Sequence, residues 1–380
     1  MARKILFVQS QSEMGGAEYS LLTLLRHLDR SKLNPEVVLL GFGSGPLAER
    51  LRAIDVPAHE LVHARLRNPF ALRRARRDLT GIVRSRQIDV LVANGFHPHV
   101  YAAAAARRTG KPCVLFARDF PPGGFGLDAV IAYLAFCQET ALVLAASGAV
   151  AESVRPRVRG TRVAVVPNGV EVSPFDAADR VSARAALNLA DDCIAFVLAG
   201  RLQPWKGQHV FLDAALRVGR ELPEAVFVIA GEALFDRAQA YARELPARAR
   251  ALGLGERARF PGHVDAPGLF AAADIVVHAS TLPEPFGRIV IEGMAAQRPV
   301  IASRAGGPVE IIVEGETGLL VPPGDAAALA EAMLRLARDS DLRTRMGEAG
   351  RARVDASFTA ERSAASFTEV LLSLEEGTHG

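Results

Sequence analysis

The chain alternates short apolar runs with amphipathic stretches, and this alternation occurs in two successive sets along its 380 residues. Each run is continuously hydrophobic, which is typical of parallel strands buried on both faces. The intervening stretches have helical periodicity, so the sequence predicts an α/β fold of two doubly wound parallel-sheet domains. The predicted strands are 4–10, 36–42, 89–94, 113–118, 141–147 and 163–169, then 193–200, 225–231, 274–280, 299–303 and 317–322.

The apolar pattern lapses near residues 170–180, where we expect the domain boundary. The predicted domains are residues 1–172 and 173–354, and we expect a helical tail, residues 355–376, to pack back on the first. Residues 1–170 carry 23 Lys and Arg against 13 Asp and Glu, whereas residues 171–380 carry 22 against 29. We expect the basic half to meet an anionic partner.

The sequence predicts a cytoplasmic protein. Its first apolar run is too short for a signal peptide, and its most apolar stretch, residues 127–147, is too polar to span a bilayer. The cysteines show neither metal-ligand spacing nor a disulfide framework, and we expect them to be buried thiols. They are Cys113, Cys137 and Cys193.

The segment EPFGRIVIE, residues 284–292, follows a predicted strand at the sheet edge where ligands bind in open α/β folds. Pro285 suits the first position of a helix, and Gly287 permits close approach of a ligand. The N–H groups of Phe286, Gly287 and Arg288 would then face outward at the positive end of the helix dipole. This arrangement predicts a diphosphate site.

Two glutamates, Glu284 and Glu292, begin and end this segment. Eight helical residues separate their backbones by ~12 Å along the axis. Carboxylates that work as one hydrolytic pair lie ~5–9.5 Å apart. We therefore expect these two to bracket an extended ligand, one at its sugar end and one at its ribose end.

Two further loops follow predicted strands. In GRLQPWKG, residues 200–207, Arg201 and Lys206 can converge on a diphosphate and stabilise it as it leaves. After the first strand, Gly15 and Gly16 permit close backbone approach to a phosphate or an acceptor, although a plain tight turn would explain them as well.

These segments resemble the signatures of glycosyltransferase family 4. The resemblance rests on GRLQPWKG, EPFGRIVIE, PNGV at 167–170 and GGAE at 15–18, and it is densest over residues 195–350. It implies a GT-B fold, in which two Rossmann-like domains face each other across a cleft. It also implies retaining transfer of a sugar from a UDP- or GDP-sugar to a glycan or lipid-linked acceptor, without a metal or another cofactor.

The resemblance also implies roles for individual residues. Glu284, Arg201 and Lys206 would form the catalytic set, with Glu284 on hydroxyls of the transferred sugar and the two cations on the diphosphate. In the donor-binding set, Glu292 would bind the ribose, and Phe286, Gly287 and Arg288 would bind the diphosphate. Gly15 and Gly16 would close on the phosphates. The backbone of His263 and Val264 would recognise the base.

The chain departs from the family after the strand CVLFAR, where many members have a His-Gly or His-Asp pair that touches the donor sugar. Here Arg118 and Asp119 stand at that place, and they can contact the sugar or form a structural ion pair. His97 and His99 can each face an acceptor, or they can have a capping or packing role. Asn168 can contact the sugar or the acceptor, or it can form part of a turn. No Asp-x-Asp follows a strand, so we expect no metal site.

Residues 63–87 carry eight arginines against one acid, Asp78, with apolar residues interspersed. This composition is compatible with an amphipathic helix on an anionic membrane and equally with a solvated basic face. Aromatic side chains are nearly absent from this segment, which argues against nucleic-acid binding.

Rival functions differ in what they require. A nucleotide-linked oxidoreductase should show Gly-x-Gly-x-x-Gly after its first strand, and this chain does not. A glycogen-type phosphorylase would need a pyridoxal-binding lysine and a longer chain. A nucleotide-sugar 2-epimerase and a non-enzymatic membrane adaptor remain alternatives.

Overall fold

A computed structural model describes residues 2–10, 14–41, 45–62, 64, 68–123, 126–136, 138–233 and 236–374. The chain divides into two compact units, one formed by residues 1–169 with 360–380 and the other by residues 170–359. Cys137, two arginines of the basic segment (Arg65 and Arg67) and the end of the predicted tail lie outside the described residues.

The first unit contains a seven-stranded parallel sheet in the order β3-β2-β1-β4-β5-β6-β7. Its strands are β1 (Arg3–Gln9), β2 (Leu33–Leu40), β3 (Ala58–Leu61), β4 (Val90–Asn94), β5 (Cys113–Ala117), β6 (Leu142–Ala145) and β7 (Val163–Val165). Its helices are α1 (Gly16–His27), α2 (Pro46–Arg52), α3 (Pro69–Ser85), α4 (Phe96–Thr109), α5 (Leu127–Phe136) and α6 (Gly148–Val154), with a 3₁₀ turn at Arg155–Arg157.

The second unit contains a six-stranded parallel sheet in the order β10-β9-β8-β11-β12-β13. Its strands are β8 (Ile194–Ala199), β9 (Ala225–Ala230), β10 (Ala258–Gly262), β11 (Ile275–His278), β12 (Val300–Ser303) and β13 (Gly318–Val321). Its helices are α7 (Ser173–Asp176), α8 (Arg180–Ala186), α9 (Gln208–Glu221), α10 (Asp236–Ala251), α11 (Ala266–Ala272), α12 (Arg288–Ala295), α13 (Pro308–Ile311), α14 (Ala326–Arg338) and α15 (Ser340–Ser357), with 3₁₀ turns at Pro204–Lys206 and Gly255–Arg257.

The last helix, α16 (Ala360–Leu372), belongs to the first unit although it follows the second in sequence. The Phe367 ring stacks on Phe7 of β1 at 5.7 Å and on Phe116 of β5 at 6.1 Å. The same apolar cluster contains residues of α1 and α2, whereas α3, α4 and α6 cover the opposite face of the sheet. Both faces are therefore buried, which confirms the predicted α/β class with parallel sheets.

Candidate functional site

An ion pair joins two of the predicted catalytic residues in the second unit. Lys206 ends the 3₁₀ turn after β8, Glu284 follows β11, and these two strands are neighbours in the sheet. Lys206 Nζ lies 2.7 Å from Glu284 Oε2. Burial acts to raise the pKa of Glu284, but the charge of Lys206 and a hydrogen bond from His278 outweigh it and hold the pKa well below its usual range. The carboxylate is therefore ionised at neutral pH.

The turn that carries Lys206 packs closely against the backbone that follows β11. Gly207 has φ +73°, and a Cβ there would lie 1.8 Å from the carbonyl oxygen of Ala279. The N–H of Thr281 donates to the carbonyl oxygen of Trp205 at 2.7 Å. Only glycine fits at position 207, so the turn that carries Lys206 can contact the segment that leads from β11 to Glu284.

A second loop holds the backbone of Glu284 from the other side. The N–H of Gly307 donates to the carbonyl oxygen of Glu284 at 2.8 Å. A Cβ at Gly306, where φ is +73°, would lie 2.1 Å from that same oxygen. The backbone of Glu284 is thus fixed between the loops that follow β8 and β12.

Two residues that the sequence did not single out also contact the Glu284 carboxylate. Ser280 Oγ donates to Oε2 at 3.0 Å, and His278 Nε2 lies 3.2 Å from the same oxygen. Both residues are buried. Their only signal in the sequence is that they are polar residues at the carboxyl end of the apolar run DIVVHAS.

The predicted helix start at Pro285 is wrong. Helix α12 begins at Arg288, because Gly287 adopts φ +98° and breaks the helical geometry before it. The ~12 Å spacing of the two glutamates assumed a continuous helix, so it does not apply. The Phe286 side chain is buried against Phe358, with ring centroids 6.2 Å apart. Within the described part of the chain, the N–H groups of Phe286 and Gly287 have no hydrogen-bond partner, as an anion site at this position requires.

The remaining donor-binding candidates lie at the same edge of the second unit's sheet. Arg288 Nη2 lies 2.6 Å from Glu292 Oε1, so these two predicted residues pair with each other on α12. Arg201 is half-buried on the loop that carries Lys206, and in the described chain its guanidinium contacts neither glutamate. Exposed His263 and half-buried Val264 lie on the loop between β10 and α11.

A buried polar network joins four strand ends in the first unit. Arg118 Nε donates to Asn94 Oδ1 at 2.7 Å, and Arg118 Nη1 donates to Asn168 Oδ1 at 2.6 Å. Asn94 Nδ2 donates to Gln9 Oε1 at 2.7 Å. The Arg118 guanidinium lies 3.5 Å from the centroid of the Phe116 ring. Arg118 and Asn168 therefore belong to one network, while Asp119 is exposed.

The network extends to the glycine loop before α1. Gln9 Nε2 donates to Glu18 Oε1 at 2.6 Å, and Glu18 Oε2 accepts from the N–H of Gly15 at 3.1 Å. Gly16 is the first residue of α1. Sequence reasoning missed Gln9, Asn94 and Glu18, although each is a polar residue at a strand end or in the GGAE segment.

The two histidines on α4 have different surroundings. His97 is half-buried, and its ring lies 5.6 Å from that of Tyr101. His99 is fully buried, with Nδ1 3.1 Å from the Ala135 carbonyl oxygen and Nε2 3.1 Å from Thr140 Oγ1. Burial lowers the pKa of His99 to about 4. His99 is therefore packed in the interior of the first unit.

We expect His99 to make the stability of the protein fall in mild acid. Its pKa is depressed from 6.5 to about 4 in the folded chain, so unfolded chains bind the proton first as pH falls below 6.5. At about 1.4 kcal/mol per pH unit, up to about 3 kcal/mol is lost by pH 4. Urea unfolding at pH 7 and pH 5 measures this loss. A His99→Gln variant should lose less stability over that range, and an unchanged loss would contradict the assignment.

Within the basic segment, residues 69–85 form α3, and its apolar side packs into the core of the first unit. Leu79 and Val83 are buried in the core of the first unit, whereas Arg73, Arg74 and Arg77 are exposed. The helix therefore presents a basic side to solvent. Its apolar side faces the core of the first unit and is not available to a membrane. No helix in the described ranges is both long and apolar enough to cross a membrane.

Comparisons with known proteins place the chain among glycosyltransferases. Residues 179–353 match the family described as Glycosyl transferases group 1, and residues 14–173 match Glycosyltransferase Family 4. The D-inositol 3-phosphate glycosyltransferase of Kribbella flavida is 34% identical over 198 residues, which is 50% of this chain and 46% of that protein. The phosphatidyl-myo-inositol mannosyltransferase of Mycobacterium leprae is 35% identical over 195 residues, which is 50% and 48%. The matched part thus spans about half the length of these relatives.

Solved structures match over nearly the whole chain. The Anabaena protein HepE, in complex with UDP and glucose, has a TM-score of 0.86 and 27% identity, covering 98% of this chain and 100% of that chain. A sucrose-phosphate synthase from Thermosynechococcus elongatus has a TM-score of 0.82 at 20% identity, covering 99% and 100%, which bears on the fold alone. The fold is that of the GT-B glycosyltransferases. Within that class, the two family matches together cover both units, and the chain belongs to glycosyltransferase family 4.

Proposed function

We propose that the protein transfers a sugar from a UDP- or GDP-sugar to a hydroxyl of a glycan or lipid-linked acceptor, with retention of anomeric configuration. The observation that carries the proposal is the buried pair of Glu284 and Lys206 at the ends of adjacent strands. Such a site offers a fixed anion for sugar hydroxyls beside a fixed cation for the leaving diphosphate. The complex of HepE with UDP and glucose supports this class of donor.

The donor would lie along the loops of the second unit. Lys206, Arg201 and the N–H groups of Phe286 and Gly287 bind the diphosphate, because each supplies positive charge or a donor. Glu292 accepts from the ribose hydroxyls while its other oxygen stays with Arg288. The loop at His263 and Val264 reads the base through its backbone.

The transfer itself needs no protein nucleophile in this proposal. The acceptor hydroxyl attacks the anomeric carbon on the face from which the diphosphate leaves, so the configuration is retained. A donor phosphate oxygen takes the hydroxyl proton as the glycosidic bond breaks. Lys206 and Arg201 neutralise the departing charge, so no metal is required, and Arg118 with its amide partners binds the acceptor in the first unit.

The experiment uses purified protein with a panel of UDP- and GDP-sugars. We expect one donor to release nucleoside diphosphate slowly by hydrolysis, faster with added acceptor, and unchanged by EDTA. The anomeric configuration of the product, determined by NMR, should match that of the donor. A nucleotide-sugar 2-epimerase would instead return an epimerised sugar without net transfer, and that outcome would contradict the proposal.

We further propose that the first unit contacts an anionic membrane surface through α3 and α5. Both helices pack against α4. On α3 the arginines Arg73, Arg74 and Arg77 are exposed, and on α5 the side chains of Leu127, Val130, Tyr133 and Leu134 are exposed and fall on one face of the helix. Exposed apolar residues and exposed basic ones, on two helices that pack against the same neighbour, suit a surface of acidic headgroups and acyl chains.

Reversing the charge of the α3 arginines tests this contact. The triple variant Arg73→Glu, Arg74→Glu and Arg77→Glu should bind phosphatidylglycerol-containing vesicles about a hundredfold more weakly than the native chain, at about 1 kcal/mol per basic residue. Co-sedimentation measures the bound fraction. The matched control reverses Arg217, Arg220 and Arg250, three exposed arginines of the second unit. Equal losses in both variants, or no native binding, would reject the contact.

A further inference from the structure

Three donors converge on a single oxygen of the Glu284 carboxylate. Lys206 Nζ lies 2.7 Å from Oε2, Ser280 Oγ lies 3.0 Å from it, and His278 Nε2 lies 3.2 Å from it. Within the described chain no side chain donates to Oε1. The carboxylate is therefore held through one oxygen, and the other remains able to accept a hydrogen bond from a ligand.

A backbone contact fixes the state of the His278 ring. The N–H of Ser303, at the end of the neighbouring strand β12, lies 3.4 Å from His278 Nδ1. A backbone N–H can only donate, so Nδ1 accepts and the ring hydrogen is on Nε2. Nε2 faces both Ser280 Oγ, at 3.1 Å, and Glu284 Oε2. Through its two nitrogens, the ring thus links the backbone of β12 to the Glu284 carboxylate.

We propose that His278 is a positioning residue for sugar transfer, which as its Nε2–H tautomer holds Glu284 so that Oε1 meets a hydroxyl of the transferred sugar. The proposal rests on the proposed function. His278 acts only through Glu284, so it affects the transition state for transfer and leaves the nucleotide untouched. The burial of the ring fits this role, because a buried imidazole is costly unless both nitrogens are hydrogen-bonded.

Two amide variants separate positioning from packing. In His278→Gln the amide nitrogen can take the place of Nε2 and donate to Glu284, whereas in His278→Asn the shorter side chain reaches only the place of Nδ1. We expect His278→Asn to lower kcat about tenfold to a hundredfold, the effect of losing one hydrogen bond to a charged group. We expect His278→Gln to restore most of that loss. The dissociation constant of free UDP or GDP should stay within about twofold in both.

A double variant decides whether His278 acts through Glu284. If it does, His278→Asn combined with Glu284→Gln should transfer no more slowly than Glu284→Gln alone. Multiplied losses, a fully active His278→Asn, or equal losses in the Asn and Gln variants would overturn the proposal. Should His278→Asn fail to fold by thermal unfolding, His278→Ser, which also removes Nε2, takes its place in the same cycle with Glu284→Gln. A native protein that releases nucleotide from no UDP- or GDP-sugar would instead refute the proposed function.

Discussion

Replacing Glu284 by glutamine should nearly abolish sugar transfer while leaving the binding of free UDP or GDP largely intact. The amide keeps the shape of the side chain but loses the charge that three donors orient. We expect kcat to fall by about a hundredfold to a thousandfold, as when a fixed electrostatic group is removed from a transition state. Initial rates of transfer and calorimetric titration with the nucleotide measure the two effects separately.

The control for this prediction is Glu331→Gln, an exposed glutamate of the same unit on α14. It should transfer at the native rate. Full activity of Glu284→Gln would show that Glu284 does not hold the sugar. Equal losses of transfer and of nucleotide binding would place Glu284 at the nucleotide instead.

The sequence predicted the interior of each sheet better than its edges. All eleven predicted strands overlap strands of the structure, but β3 and β10 were not predicted. Each lies at the edge of its sheet and pairs with only one neighbour. Their sequences, AHEL and ARFPG, have no continuous apolar run, because an edge strand need not be buried on both faces. Hydrophobic runs therefore identify the central strands, and of the four edge strands they identify β7 and β13 but miss β3 and β10.

The candidate site was predictable where a motif placed several residues on one loop. Glu284 and Lys206 follow from such motifs, and the structure brings them together. His278 and Asn94 do not, because each is a single polar residue at a strand end, with nothing local to separate it from a cap. The contact of His278 with Ser303 and those of Asn94 with Gln9 and Arg118 arise from strand order, since β11 lies beside β12, and β4 lies between β1 and β5. Strand order depends on the whole chain rather than on the local sequence.

Replacing Lys206 by methionine should weaken both stability and transfer, through different causes. Glu284 would stay buried without its cation, and breaking one side of a buried ion pair costs about 3 kcal/mol or more of the free energy of unfolding. With that charge gone, burial raises the pKa of Glu284 in the folded chain. The variant is then most destabilised at neutral pH and recovers as acid protonates Glu284. Urea unfolding at pH 7 and pH 5 measures this trend against the native chain.

Combining Lys206→Met with Glu284→Gln separates the two causes. The double variant has no buried charge at this position, so most of the lost stability should return and its dependence on pH should shrink. Transfer should remain absent, because neither the leaving diphosphate nor the sugar hydroxyl finds its charged partner. If the double variant recovered transfer together with stability, the Glu284–Lys206 pair would serve the fold alone, and the donor would have to bind at other residues.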